Sequence, residues 1–383
     1  LKFNILSCKK TPITYYLSLP FHLKINQTML TDFQRSLQKL LDKYPQYKAE
    51  KSLYDALSEL LGKARKEDED YECKTESIGS IVANNIPNLF EEKENTQAIL
   101  TGFKEFDSRF GGLSKGEFTI IAGRPAMGKS LLMVNLALNM LQLDYSVAYF
   151  SFDLNKTHLL TRFLACKSDV ESSKILQNKL SNIEKELVEN AAVELSSKKL
   201  FICDTVVYKI EAMEEECRRL VKEQKVAVIF IDYLQMIDNL INIGSYYNRD
   251  REIGRISRKF KKLAMELNIA IICSSQLNRS VESRGGEKKP YLHDLRDSGN
   301  IEQDADKVIF MYRPDYYGLT HDYEGNETKN LVELIIAKNR NGCIGSINLL
   351  RTDKFTKFVD YEYYLDERTI EITKDRLSDF DFF

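Results

Sequence analysis

The sequence predicts an α/β protein in which a mainly parallel sheet is covered by helices on both faces and preceded by a small α-helical region and a linker helix. Three observations carry this. From Thr101 onward, short and nearly continuous apolar runs alternate with helical stretches, the pattern of strands buried on both faces. A glycine-rich phosphate-loop motif stands between the first of these runs and the first long helix. Before Thr101 the apolar residues recur every three or four positions instead, as in amphipathic helices.

Taken in order, Leu1 to Gln27 mixes prolines and polar residues into its apolar stretches, so no secretion signal is expected there. Leu30, Phe33, Leu37, Leu40 and Leu41, then Leu53, Leu57, Leu60 and Leu61, mark two helices between Met29 and Lys66, broken near Pro45. The charged run Arg65 to Asp70 reads as a solvated connection. Ile78, Ile81 and Val82 form one stripe of a short helix ending near Pro87, too small to bury that stripe without a partner surface. Strands are expected at Phe118–Ala122, Val147–Phe152, Leu200–Cys203, Val226–Asp232, Ile269–Ser274, Lys307–Tyr312 and Leu331–Lys338. The chain thus divides into an N-terminal region (1–75), a linker (76–100), an α/β domain (101–370) and an acidic, aromatic tail (371–383).

Composition narrows the class. With 383 residues, 43% hydrophobic and 29% charged, the chain is neither disordered, collagen-like nor a small disulfide scaffold. No apolar run approaches the roughly 18 residues that cross a bilayer, and no membrane partner is expected. Seven scattered cysteines without a C-x-x-C pair read as reduced thiols of a cytoplasmic protein. Four histidines, none spaced with another metal ligand, give no structural metal site. A net charge of −2 means that any nucleic acid is held by local basic loops, not by the overall field.

Gly123-Arg124-Pro125-Ala126-Met127-Gly128-Lys129-Ser130 fits G-x-x-x-x-G-K-[ST] between a strand and a helix. Backbone N–H groups of such a loop face phosphates, the lysine neutralises the β and γ phosphates, and the hydroxyl ligates Mg²⁺. The apolar run ending at Asp232 fits a Walker B strand, whose carboxylate holds the magnesium through water. ATP and Mg²⁺ are the expected cofactors.

Several segments resemble one family. Ile229-Phe230-Ile231-Asp232-Tyr233-Leu234-Gln235-Met236 is similar to the hexameric replicative DNA helicases of the DnaB type. So are Thr101-Gly102-Phe103 with Gly111-Gly112-Leu113, the phosphate loop, Cys273 to Ser280, Asp294 to Gly299, and Ile301 to Asp306. The resemblance runs in order from Thr101 to Phe358. It implies a RecA-like P-loop motor that assembles as a homo-oligomeric ring, hydrolyses nucleoside triphosphate at subunit interfaces and moves 5′ to 3′ on single-stranded DNA. By motif, Gln276 is the γ-phosphate sensor, Arg340 the arginine finger and Lys338 its companion. In the family the Asp294–Gly299 turn touches the DNA backbone. Arg296 would supply charge there, with Asp297 and Gly299 giving backbone groups; Arg279 and Arg284 stand in the long polar stretch from Arg279 to Gly299, whose length signals function or disorder. The segment Ser245–Lys262, with seven basic residues against two acids, fits a DNA contact and a solvated helix face equally well.

Two departures matter. Relatives usually carry Ser-Leu-Glu-Met after the second strand, where this chain has Ser151-Phe152-Asp153-Leu154. Asp153 keeps the carboxylate that orients the attacking water but is shorter by about 1.5 Å, a displacement that costs on the order of 100-fold in rate unless the site closes around it. Asp153 also suits an N-cap for the helix starting near Lys156. The front of the chain is shorter than the family's helical collar, which leaves docking of primase or a helicase loader open. The expected function is an ATP-dependent replicative helicase; the alternative is a nucleotide-binding relative with slow hydrolysis acting as regulator or loader.

Overall fold

The computed structural model describes residues 77–80, 82–83, 98–204, 210–237, 249–295, 299–321 and 325–361. The chain divides into two compact units, Leu1–Glu92 and Lys93–Phe383. Of the first, residues 78–80 and 82–83 are helical, with Ile78 and Val82 exposed. The helices expected between Met29 and Lys66, and the tail from 371, lie outside the described residues.

The second unit opens with a two-stranded antiparallel ribbon, β1 (Ala98–Ile99) and β2 (Leu113–Ser114), around helix α1 (Lys104–Phe110). Gly112 has φ +70, and a Cβ there would lie 2.6 Å from the Ile99 carbonyl, so the ribbon requires glycine. Next come β3 (Phe118–Gly123), α2 (Lys129–Gln142), β4 (Val147–Ser151) and α3 (Lys156–Ser168). They are followed by α4 (Ser172–Leu176), α5 (Asn182–Ser196), β5 (Leu200–Cys203), α6 (Ile210–Gln224) and β6 (Val228–Asp232). The remainder is α7 (Arg249–Leu267), β7 (Ala270–Gln276), α8 (Ser280–Ser283), α9 (Gly299–Asp304), β8 (Lys307–Tyr312), β9 (Leu331–Asn339), β10 (Gly345–Arg351) and β11 (Phe358–Asp360).

One nine-stranded sheet runs in the order β11-β10-β9-β8-β3-β7-β6-β4-β5. The six strands from β8 to β5 are parallel, and β9, β10 and β11 extend it antiparallel. All seven expected strands are present, but β10 and β11 were not foreseen. β10 mixes Gly, Ser and Asn with one exposed and three well-buried positions at its end, and β11 has three residues, so neither carries a strong period-2 signal.

Alternate residues of the central strands feed two cores. Ile121, Phe230 and Ile272 pack with α2 and α3 on one face; Ile120, Ile229, Ile231 and Ile271 pack with α6 and α7 on the other. Helix α2 is buried along almost its whole length, while α7 is amphipathic, burying Ile253, Ile256, Phe260, Leu263 and Ala264 at helical spacing. The outward cations of α7 are largely paired inside the chain: Lys259 with Glu211 and Glu214, Lys261 with Asp306. Among the described cations of this segment Arg255, Arg258 and Lys262 are exposed, Arg258 at 3.7 Å from Asp304. No helix among the described residues is long and apolar enough to cross a membrane.

Candidate functional site

The parallel strands end along one edge, and the candidate residues collect there. β3 terminates at Gly123, and the phosphate loop turns into α2 through Gly128 at φ 103. A Cβ on Gly128 would sit 3.2 Å from the Phe358 ring and 3.3 Å from the Met311 methyl, so the loop closes only around glycine. The first turn of α2 has no side-chain cap and no acidic residue, which leaves its N–H groups and dipole to an anion. Lys129 Nζ donates to the carbonyls of Gly123 and Arg124 at 2.9 and 3.0 Å. Burial pulls its pKa down from 10.5 to about 8, opposed by Asp232 and aided by Arg124. A desolvated cation resting on carbonyl oxygens beside an uncapped helix start fits the phosphates of a nucleotide. Ser130 follows as the second residue of α2.

Asp232 ends β6 and is 4% exposed. Ser274 Oγ donates to its Oδ1 at 2.5 Å and the Tyr149 hydroxyl to its Oδ2 at 3.2 Å. Burial, and then the negative charge of Asp232, raise the Tyr149 pKa well above 10.0, so the phenol stays a donor. The register aligns Ser151 with Asp232 and Gln276 with Gly123, which puts Gln276 beside the start of the phosphate loop. The Gln276 backbone N–H donates to Gln235 Oε1 at 3.4 Å, and Gln235 Nε2 donates to Ser275 Oγ at 2.8 Å. Tyr149 and Ser274 were not singled out from sequence, because inside apolar strands they look like ordinary core positions.

Lys338 and Arg340 lie at the other edge. β9 runs antiparallel to β8, with Asn339 opposite Lys307, where the parallel strands begin. At ~3.3 Å per residue, the six residues of β8 separate these cations from their own phosphate loop. Lys338 Nζ donates to the Glu302 carbonyl at 2.5 Å. Arg340 donates to Asp306 Oδ1 at 3.1 Å and to the Gln303 carbonyl. Burial and the adjacent Arg340 lower the Lys338 pKa.

Residues 98–360 match the family described as the DnaB-like helicase C terminal domain. The chain belongs to the DnaB-like helicases. It is 37% identical over 285 residues to the replicative DNA helicase DnaC of Bacillus subtilis, covering 74% of this chain and 61% of that protein. It therefore spans about three-fifths of that relative's length. A solved structure of an ATPase domain superposes with a TM-score of 0.66 at 31% identity, over 75% of this chain and 99% of the other. A solved DnaB-like replicative helicase, described with its interactions with primase, gives 0.68 at 28% identity, over 87% and 79%.

In this DnaB-like domain residues 277–295, expected from sequence as part of a long polar loop, form a folded lobe. Val281 and Leu295 are buried, Leu277 bridges Leu295, and Asn278 N donates to the Asp294 carbonyl at 2.8 Å. These apolar residues are too widely spaced to show a period, so the sequence reads as loop. Arg284 staples the lobe: it donates to Asp294 at 2.5 Å and to the Lys289 carbonyl, and lies 4.9 Å over the Tyr291 ring. Its charge is thereby already committed within the chain. Arg279 is exposed, Gly299 opens α9, and Arg296 and Asp297 fall outside the described residues. Asp153 is exposed in the bend after β4. The helix cap weighed for it belongs instead to Asn155, whose side chain accepts from His158 N at 2.9 Å, because α3 starts at Lys156 and Asn155 is adjacent to it.

Proposed function

We propose that this chain is the motor of an ATP-dependent replicative DNA helicase that works as a ring, a hexamer by family resemblance, and moves 5′ to 3′ along single-stranded DNA. The observation that carries this reading is the meeting of Lys129, Asp232 and Gln276 at one sheet edge while Arg340 and Lys338 stand at the opposite edge. A finger so placed serves the site of another copy.

In the proposed cycle Lys129 leaves the Gly123 and Arg124 carbonyls for the β and γ phosphates of ATP, and the N–H groups of the phosphate loop and α2 hold the remaining oxygens. Ser130 and Asp232 would hold Mg²⁺, which when bound offsets the negative charge on the phosphates. Asp153 accepts the proton of the attacking water and orients it. Arg340 of the neighbouring copy stabilises charge on the transferred group, with Lys338 beside it. Gln276 senses the γ phosphate at the head of the lobe that carries Arg279. Contacts from Arg279, Arg296, Asp297 and Gly299 to phosphates would hold the strand without reading its sequence. Primase or a loader is the expected further partner, by analogy with the relative solved with primase interactions in view.

The exposed, short Asp153 favours one competing reading, a nucleotide-bound ring that turns over slowly. Steady-state ATPase with and without single-stranded DNA, with fork unwinding in the same preparation, separates the two. DNA-stimulated turnover and unwinding, both lost in Lys129→Ala, support the helicase. Binding without turnover, rescued by Asp153→Glu, supports the slow ring.

A further inference from the structure

Arg124 belongs to the phosphate loop, yet its guanidinium is bound elsewhere. Nε and Nη2 donate to Glu282 Oε1 at 2.9 and 2.7 Å, and Nη1 donates to the Leu277 carbonyl at 3.0 Å. The Arg124 side chain is 9% exposed and that of Glu282 43%. Arg124 also connects inward, since its own carbonyl accepts from Lys129 Nζ at 3.0 Å. One residue therefore touches the phosphate lysine with its backbone and the lobe after Gln276 with its side chain. Glu282 lies in α8, in the lobe that ties Asn278 to Asp294. When Lys129 shifts to a phosphate, the Arg124 peptide loses a donor, and the side chain of the same residue carries that change to Leu277 and Glu282.

We propose that Glu282 is a positioning residue: by holding Arg124, it clamps the phosphate loop to the lobe at 277–295, and DNA on that lobe accelerates ATP turnover through the Arg124–Glu282 pair. The proposal rests on the reading of the lobe as DNA-facing. Glu282 is the exposed end of the pair and Arg124 the buried one; Glu282→Gln keeps an acceptor for the guanidinium, and Arg124 keeps the Leu277 carbonyl in either variant. The pair is thus better suited to linking two loops than to holding the fold.

The test uses the full chain, with Glu282→Gln and Glu282→Ala compared with wild type for kcat and KM with and without a poly-deoxythymidine oligonucleotide, for oligonucleotide affinity, and for melting temperature. In Glu282→Gln, DNA-free turnover should stay within about twofold and the melting temperature should not move. Stimulation of kcat by the oligonucleotide should fall at least about fivefold in both variants, while the oligonucleotide still binds. Wild-type stimulation in both variants overturns the proposal. A joint loss of DNA-free turnover and melting temperature also overturns it, since the pair is then structural. If wild type itself shows no stimulation, the DNA-facing reading falls and takes the clamp with it, an outcome visible before any variant is measured.

Discussion

Tyr149 on β4 donates its hydroxyl hydrogen to Oδ2 of Asp232 on β6, 3.2 Å away, and both side chains are buried. Ser274 on β7 donates to the other oxygen, so hydroxyls from the two flanking strands fix the carboxylate in orientation. Outer partners of a carboxylate proposed to hold Mg²⁺ would tune its affinity by about 10–100-fold. Tyr149→Phe keeps the ring stacked 5.8 Å from Phe230 and removes only the donor. The Mg²⁺ concentration for half-maximal ATPase should then rise about tenfold with little change in melting temperature. An unchanged magnesium titration would make Tyr149 a core residue only.

Lys129 predicts a pH signature. Its pKa is about 8 in the folded chain against 10.5 when unperturbed. Below the lower value both states are charged and the folded state bears the full burial cost. Between the two values the unfolded chain still binds the proton that the folded one has shed, so this group's contribution makes stability rise with pH. Without nucleotide, Lys129→Met should melt above wild type near neutral pH, with the gap closing as pH climbs through that window. Calorimetric melting across the window checks it, and a gap independent of pH would mean that the lysine is not desolvated.

The placement of Arg340 predicts complementation. Lys129→Ala and Arg340→Ala are each expected to abolish turnover. Mixed and allowed to reassemble, they create some junctions with an intact lysine from one chain and an intact arginine from the other. ATPase activity should therefore reappear in the mixture; its absence across all mixing ratios would argue against a finger acting between chains.

Asn135 predicts a stability effect far from the chemistry. From the middle of α2 its Oδ1 accepts the buried Phe358 amide at 2.7 Å, tying the phosphate-loop helix to β11. Asn135→Ala orphans that amide, at a cost of about 1–3 kcal/mol. Melting of the two proteins side by side measures it, and an unshifted midpoint would mean that water replaces the bond.

Much of the α/β domain was legible in the sequence because its signals are local. β3 and the glycine-lysine loop, β6 ending in Asp232, and β7 ending in Gln276 each sit within one short segment whose period or spacing declares it. What stayed hidden depends on residues distant in the chain. Ser274 and Tyr149 acquire meaning only when β7 and β4 flank β6. Arg124 reads as one more loop residue until Glu282 folds back on it. The antiparallel direction of β9 leaves no trace in its composition, although that direction puts Arg340 at the far edge.

The far edge also dictates symmetry. A contact that brings the Arg340 end of one chain to the Lys129 end of the next joins two unlike patches, so it is heterologous, and a two-fold axis cannot relate the partners. Repeated, the operation either closes into a cycle or winds into an open filament. An open pair leaves one arginine and one lysine unmated. With Arg340 acting between chains as proposed, catalytic capacity would reside in seams, not in bodies, and a closed cycle has as many seams as chains while a filament always has one fewer. Activity per chain should accordingly decay on dilution more steeply than nucleotide binding does.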